Sequence, residues 1–347
     1  MRIALDAMGG DFAPAAIVQG GLEAARLFPN ECEIVFVGDQ SIIEQEIARH
    51  PLLTRGQTLR YSIHHASEKI EMSDAPTVAI KKKKDASIVV ANRLQQEGKV
   101  DAVVSAGHTG AAMAAALLIL GRISGVSRPG IGSLIPNGSG VTMLIDVGAN
   151  VDSRAMHLVQ YGLMGSIFMQ RVIGVENPRI ALLSIGEERT KGTEVTREAY
   201  ELLEKSNINF IGNVEGRDIL QAKADVVICD GFVGNVILKF TESLGSVFRR
   251  HIKRQIGKKI FVNLGAFLMQ PTFKRLRKVF DYEEYGGAPL LGVDGVTIIC
   301  HGSSTPKAIR NAIKEAVKMV SEGINQIIQQ ELASQLQNGV KLVEQDA

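Results

Sequence analysis

Tryptophan is absent from the 347 residues, and aromatic residues of all kinds make up only 5%. Single-stranded nucleic acid needs aromatic faces on which its bases stack, so a nucleic-acid platform of that kind is excluded. Cysteine is scarce as well: Cys32, Cys229 and Cys300 lie far apart, are odd in number and form no CxxC pair. That pattern fits neither a disulfide framework nor a zinc site, and it points to a reduced, cytoplasmic protein. The longest wholly apolar run, Ala111 to Leu120, is shorter than the roughly 20 residues a membrane-spanning helix requires. Because the chain opens directly on the strand-like Arg2–Asp6, no secretory leader is expected.

Catalytic signatures are missing too. No GxGxxG follows the first strand, and there is no GxxxxGK[ST], HExxH or GxSxG. No dinucleotide cofactor, metal or covalent serine or cysteine nucleophile is therefore expected. What remains is chemistry done by positioning and electrostatics, with an external nucleophile.

The apolar content of 45% and charged content of 22% describe a globular domain with ample core. Strand-like runs alternate with helix-length segments: Arg2–Asp6, a helix from Pro14 to Leu27, Glu33–Val37, a helix over Ser41–Ala48, Leu59–His64, a helix over Ala86–Gln96, then Val100–Val104. This βαβα order predicts a three-layer α/β/α doubly wound fold with a mostly parallel sheet. With no internal repeat and no low-complexity linker, residues 1–336 read as one catalytic body, and 337–347 as a frayed tail.

Glycine, at 35 residues, collects at the strand ends. The turn Asp230-Gly-Phe-Val-Gly-Asn235 follows the apolar Ala224–Cys229 and precedes a helix-like Val236–Leu244. Such a turn is either a tight βα connection whose glycines take positive φ or an anion site built from backbone N–H groups at a helix N-terminus. Asp230, Gly231, Gly234 and Asn235 are its candidates. Ser105-Ala-Gly-His-Thr-Gly110 repeats the pattern, offering Gly107, His108, Thr109 and Gly110, with His108 either an ionisable group beside the ligand or a helix cap. Asp146-Val-Gly-Ala-Asn150 offers Asp146 and Asn150. Ile185-Gly-Glu-Glu-Arg-Thr-Lys-Gly192 is either a solvated loop or one that holds phosphate through Arg189 and Lys191. His301, ending the last strand, is either a site residue or a buried, satisfied histidine. Ligands of open α/β sheets sit outside the carboxyl ends of the strands, so these turns are expected to converge on one anion site.

Charge is the other uneven feature. The total is only +2, yet Ser243 to Phe280 holds ten Lys/Arg and no Asp or Glu, leaving −8 on the rest. Phe248, Ile252 and Ile256 share one helical stripe, and Phe273, Leu276 and Phe280 share another. Between them lies the apolar Ile260–Met269, with Phe261, Leu264, Phe267 and Leu268. Two basic amphipathic helices flanking an apolar tip read as a hairpin over 243–281 that lies on an anionic membrane surface. A dimer interface, a nucleic-acid patch and a dock for an acidic protein are the alternatives.

Taken together, Asp6-Ala-Met-Gly-Gly-Asp11, Ser105-Ala-Gly-His-Thr-Gly-Ala111, Asp146–Asn150, Asn209-Phe-Ile-Gly-Asn-Val-Glu215, Asp230–Val236, Tyr285-Gly-Gly-Ala288 and His301-Gly-Ser-Ser304 resemble the PlsX-type phosphate acyltransferases of bacterial phospholipid synthesis. The family usually has Asn where this chain has His108, and more often Thr where Val233 stands. The resemblance implies a fold similar to phosphotransacetylases and the isocitrate dehydrogenase group. It implies transfer of an acyl group from acyl carrier protein to inorganic phosphate, by a homodimer that is loosely attached to the membrane and feeds a glycerol-3-phosphate acyltransferase. Lys191 and Asn235 match positions implicated in catalysis.

Overall fold

The structure is a computed structural model and describes residues 1–54, 59–256, 269 and 282–337. Its strands are β1 (Arg2–Asp6), β2 (Glu33–Gly38), β3 (Tyr61–His65), β4 (Ala102–Ser105), β5 (Gly130–Pro136), β6 (Val141–Ile145), β7 (Ile180–Leu183), β8 (Phe210–Val214), β9 (Val226–Ile228), β10 (Ala288–Leu291) and β11 (Val296–Ile299). The first helices are α1 (Ala15–Leu27), α2 (Gln40–Ala48), α3 (Pro51–Thr54), α4 (Pro76–Lys82), α5 (Ser87–Gln96) and α6 (Thr109–Ala115). Later come α7 (Ala155–Phe168), α8 (Glu194–Glu204), α9 (Gly231–Ile256), α10 (Pro306–Ser321) and α11 (Ile324–Gln337).

All the strands join in one sheet of order β3-β2-β1-β4-β11-β10-β5-β6-β9-β7-β8. Helices cover both faces, which is why inner strands such as β4, β9 and β11 are almost wholly apolar and buried, while the edge strand β3 is polar and mostly exposed. Successive strand residues alternate between two cores. Ile3, Leu5, Ile145 and Ile228 face the layer of α1, α7, α10 and α11. Ala4, Val103, Leu144 and Val227 face the layer of α5 and α6. On α10 an apolar stripe meets the core: Ile309 and Ile313 are fully buried, each contributing about 1.5–3 kcal/mol by that burial. Gly20 lets α1 approach this stripe, because a Cβ there would lie 2.7 Å from the Ile309 Cβ.

The sheet departs from the expectation in one respect that matters for function. β10 pairs antiparallel with both β11 and β5, and β5 pairs antiparallel with β6. Strands β3, β2, β1, β4 and β11 are mutually parallel, as are β6, β9, β7 and β8, but the two groups run in opposite senses. Their carboxyl ends therefore lie on two edges, and the glycine-rich turns form two groups where one was expected.

Helix α7 is buried against its own chain, with Gly162 over Ile228 and Gly165 over Val226. Among the described residues no helix is long and apolar enough to cross a membrane. The tip residues Phe261, Leu264, Phe267 and Leu268, the second basic helix and the tail 338–347 lie outside the described residues.

Candidate active site

Each edge is organised around a buried aspartate. At the first, Asp6 ends β1 and accepts from the Ser87 hydroxyl at 2.6 Å, the Ser105 hydroxyl at 2.7 Å and the Met8 N–H at 3.3 Å. Burial raises its pKa from the ordinary 3.8, and the two serines act against that shift. Gly9 and Gly107 face each other here, and a Cβ on Gly9 would lie 2.9 Å from the Gly107 Cα. His108 is the N-cap of α6, its Nδ1 accepting from the Gly110 N–H at 3.1 Å, so the cap reading holds for that nitrogen. Thr109 is exposed as the first residue of α6. His301 is exposed rather than buried, and its Nδ1 sits 2.7 Å from the Ser303 hydroxyl within its own loop.

At the second edge Asp146 directly follows β6, with no exposure at all. Its Oδ1 accepts from the N–H groups of Ile131, Gly148 and Ala149 at 2.9–3.1 Å. Oδ2 accepts from Asn150 N–H at 2.7 Å. Burial raises its pKa, the amide donors opposing; since every partner is a donor, the carboxylate is the form they satisfy. Asn150 is locked in turn, its Nδ2 reaching the Pro129 carbonyl at 2.7 Å and the Tyr161 hydroxyl at 2.8 Å.

Helix α9 seats directly on this turn. The Gly231 N–H donates to the Asn150 carbonyl at 2.8 Å, and the Val233 N–H to Asp230 Oδ1 at 2.9 Å. The segment Asp230–Asn235 is therefore the capped first turn of α9 rather than a loop before it. At this helix end the Gly231 and Val233 N–H groups are thus taken up by a backbone carbonyl and an acidic side chain. Neither Gly231 nor Gly234 has positive φ. Close approach requires them instead: a Cβ at Gly234 would lie 1.9 Å from the Asp146 carbonyl oxygen, and one at Gly231 2.6 Å from that of Asn150.

Beyond this seat Asn235 is exposed, its side chain passing Gly148. The Gly186–Gly192 loop follows β7, the neighbour of β9. Lys191 in that loop is exposed, and its side chain has no ion-pair or hydrogen-bond partner among the described residues. Arg189 is not available in the same way. Glu204 holds it at 3.0 Å, and its guanidinium lies over the Tyr200 ring at 5.5 Å. A free amide and a free ammonium thus share one edge with an aspartate-locked turn.

Sequence reasoning missed the cavity beside that turn, of about 830 Å³. Arg122, Arg128, Asn150, Asp152 and Arg154 are among the residues that line it. Its walls come from the two segments that flank the β5–β6 hairpin, residues 122–128 before it and 150–157 after it. The RISGVSR stretch, with arginines at both ends just before a strand, is the one local hint. Among the described residues no cluster of His, Cys, Asp and Glu is arranged to hold a metal.

The sheet with helices on both faces is similar to the fold of the phosphotransacylases. A phosphotransacetylase from Streptococcus pyogenes superposes with a TM-score of 0.59 at 18% identity, over 92% of this chain and 94% of that one. A branched-chain phosphotransacylase from Enterococcus faecalis gives 0.58 at 12% identity, over 92% and 99%. The sequence narrows the class further. Residues 1–327 match the family described as fatty acid synthesis protein. The phosphate acyltransferase of Moorella thermoacetica is 51% identical over 93% of this chain and 94% of its own. That of Heliobacterium modesticaldum is 50% identical over 97% and 99%. The chain belongs to the phosphate acyltransferase family and is an acyltransferase.

Proposed function

We propose that this enzyme moves a fatty acyl group from acyl-(acyl carrier protein) to inorganic phosphate, releasing acyl phosphate for phospholipid synthesis. The observation that carries this reading is the pair Lys191 and Asn235, both exposed at the carboxyl edge of neighbouring strands β7 and β9. A thioester has a good leaving group and phosphate is nucleophilic at neutral pH, so the protein must supply only position and charge. Lys191 holds the phosphate as a mobile point charge. One phosphate oxygen attacks the thioester carbonyl carbon, and the carbonyl oxygen becomes an oxyanion to which Asn235 Nδ2 donates. Collapse breaks the C–S bond. The thiolate leaves with the electron pair and takes its proton from solvent.

Asp146, Asn150, Asp230, Gly231 and Gly234 support this centre by fixing the first turn of α9. We assign no reacting step to Gly107, His108, Thr109, Gly110 or His301. A homodimer is supported by apolar residues left exposed along α9, Phe232 at 62%, Val236 at 55% and Phe240 at 62%. Attachment to an anionic membrane at the cytoplasmic face, and delivery to a glycerol-3-phosphate acyltransferase, are supported by the basic composition of 243–281. The direct test is thiol release from acyl-(acyl carrier protein) with and without phosphate, repeated with acyl-coenzyme A. Release independent of phosphate would sink the reading. Asn235→Ala is expected to lose about 10²–10³ in turnover, and near-full activity in that variant would remove it from the oxyanion role.

A further inference from the structure

We infer that the cavity beside Asn150 binds the phosphoryl group of a pantetheine arm, the part of the acyl donor remote from its thioester. The inference rests on the acyl transfer proposed above and assigns the donor a place that Lys191 and Asn235 do not provide. Charge is the first ground. Arg122, Arg128 and Arg154 line the cavity against the single carboxylate of Asp152. Arg128 has no ion-pair or hydrogen-bond partner among the described residues, and the Arg122 Nη1 donates only to a backbone carbonyl, that of Ser127. Arginine forks match phosphoryl oxygens two at a time. The cavity also opens at the N-terminus of α7, whose dipole favours an anion in the same place.

Size is the second ground. At about 830 Å³ the space is far larger than a lone tetrahedral anion fills, and it falls in the range of roughly 300–1,000 Å³ that takes an extended organic ligand. Position is the third. Asn150 lines the cavity, and its carbonyl receives the Gly231 N–H that starts α9, while Gly148 in the same turn lies under the Asn235 side chain. An arm anchored among the arginines needs only to cross this turn to bring its thioester to Asn235. Val151, exposed on the cavity wall, gives the arm an apolar surface to follow.

Acyl carrier protein and coenzyme A both carry a phosphorylated pantetheine, so the experiment uses both, alongside an N-acetylcysteamine thioester of the same acyl group that has no phosphoryl. For wild type, Arg128→Ala and Arg122→Gln, the readout is the kcat/KM of each phosphorylated donor divided by that of the truncated one. Both arginines are exposed, and circular dichroism confirms that each variant is folded. The ratio should fall about tenfold to a hundredfold for both phosphorylated donors, as expected for losing a hydrogen bond to a charged group. Arg128→Lys, which keeps the charge without the fork, should recover part of it. A preserved ratio overturns the inference. So does a rise in KM for inorganic phosphate in place of the fall, which would make the cavity the nucleophile's pocket. A loss confined to the carrier protein overturns it as well, since Arg128 would then read a protein surface. Calorimetric titration of phosphopantetheine itself into wild type and Arg128→Ala decides the cavity independently of turnover, so a failure of the acyl-transfer reading and a failure of this inference stay distinguishable.

Discussion

Gly234→Ala isolates the contact on which the candidate active site stands. A methyl at that position begins 1.9 Å from the Asp146 carbonyl oxygen and 2.9 Å from the Cys229 Sγ. Ordinary contact starts at 3.4 Å, so α9 must retreat by roughly 1.5 Å, or the Asp146 turn must give by as much. That turn is held by the amides of Ile131, Gly148, Ala149 and Asn150, and it has little freedom to move. The helix shifts, and Asn235 shifts with it. Overpacking of this kind costs about 1–3 kcal/mol of stability, and misplacing a reacting group by 1 Å costs about a hundredfold in rate. The assay is phosphate-dependent thiol release together with thermal unfolding. Gly138→Ala serves as the control, because nothing lies within 4 Å of a Cβ there. Wild-type turnover and an unshifted melting temperature in Gly234→Ala would refute the close-approach explanation. A lowered melting temperature with full turnover would refute the link between the helix seat and Asn235.

Lys191→Ala should raise the KM for phosphate about tenfold, the loss of one charge-assisted contact. Arg189→Ala should leave that KM alone, because its guanidinium is already committed to Glu204 and Tyr200; equal effects of the two would deny Lys191 its role. Glu315 is buried, and burial pushes its pKa well above 4.5, opposed only by the backbone amide of Gly287. In the unfolded chain it ionises near its ordinary value while the folded chain keeps the proton, so unfolding releases a proton and stability falls as pH rises above 4.5. Glu315→Gln should flatten that fall and raise the melting temperature at neutral pH; an unchanged pH profile would show that Glu315 is not protonated in the fold. Deleting residues 260–269 should release the protein from anionic vesicles without abolishing soluble turnover, and sedimentation that persists after the deletion discards the membrane hairpin.

Most strands were legible as apolar runs followed by glycine-rich turns, and β1 spans Arg2–Asp6 as expected. Two others were not. β5 has Gly130, Gly132 and Pro136 within it and lacks the look of a strand, and β10 contains Pro289. Both gain strand structure from their neighbours, β10 between β11 and β5 and β5 between β10 and β6, which is tertiary context overriding local preference. Missing them concealed the reversal of strand direction between the halves of the sheet.

The sequence by itself determined the α/β class, the family and the turns that carry polar side chains, because alternating apolar runs and glycine-marked strand ends are local properties of the chain. Which turns share an edge was decided only by the tertiary structure. Strand direction depends on pairing partners distant in sequence, and the antiparallel strands β10 and β5 reverse it between Asp6 and Asp146. The hairpin pairing of β5 with β6 brings Arg128 beside Asn150 and so forms the arginine-lined cavity. The tertiary structure also settles what the glycines of Asp230–Asn235 are for, since the Asp146 carbonyl that excludes a side chain at Gly234 is supplied by a strand end far away in the chain.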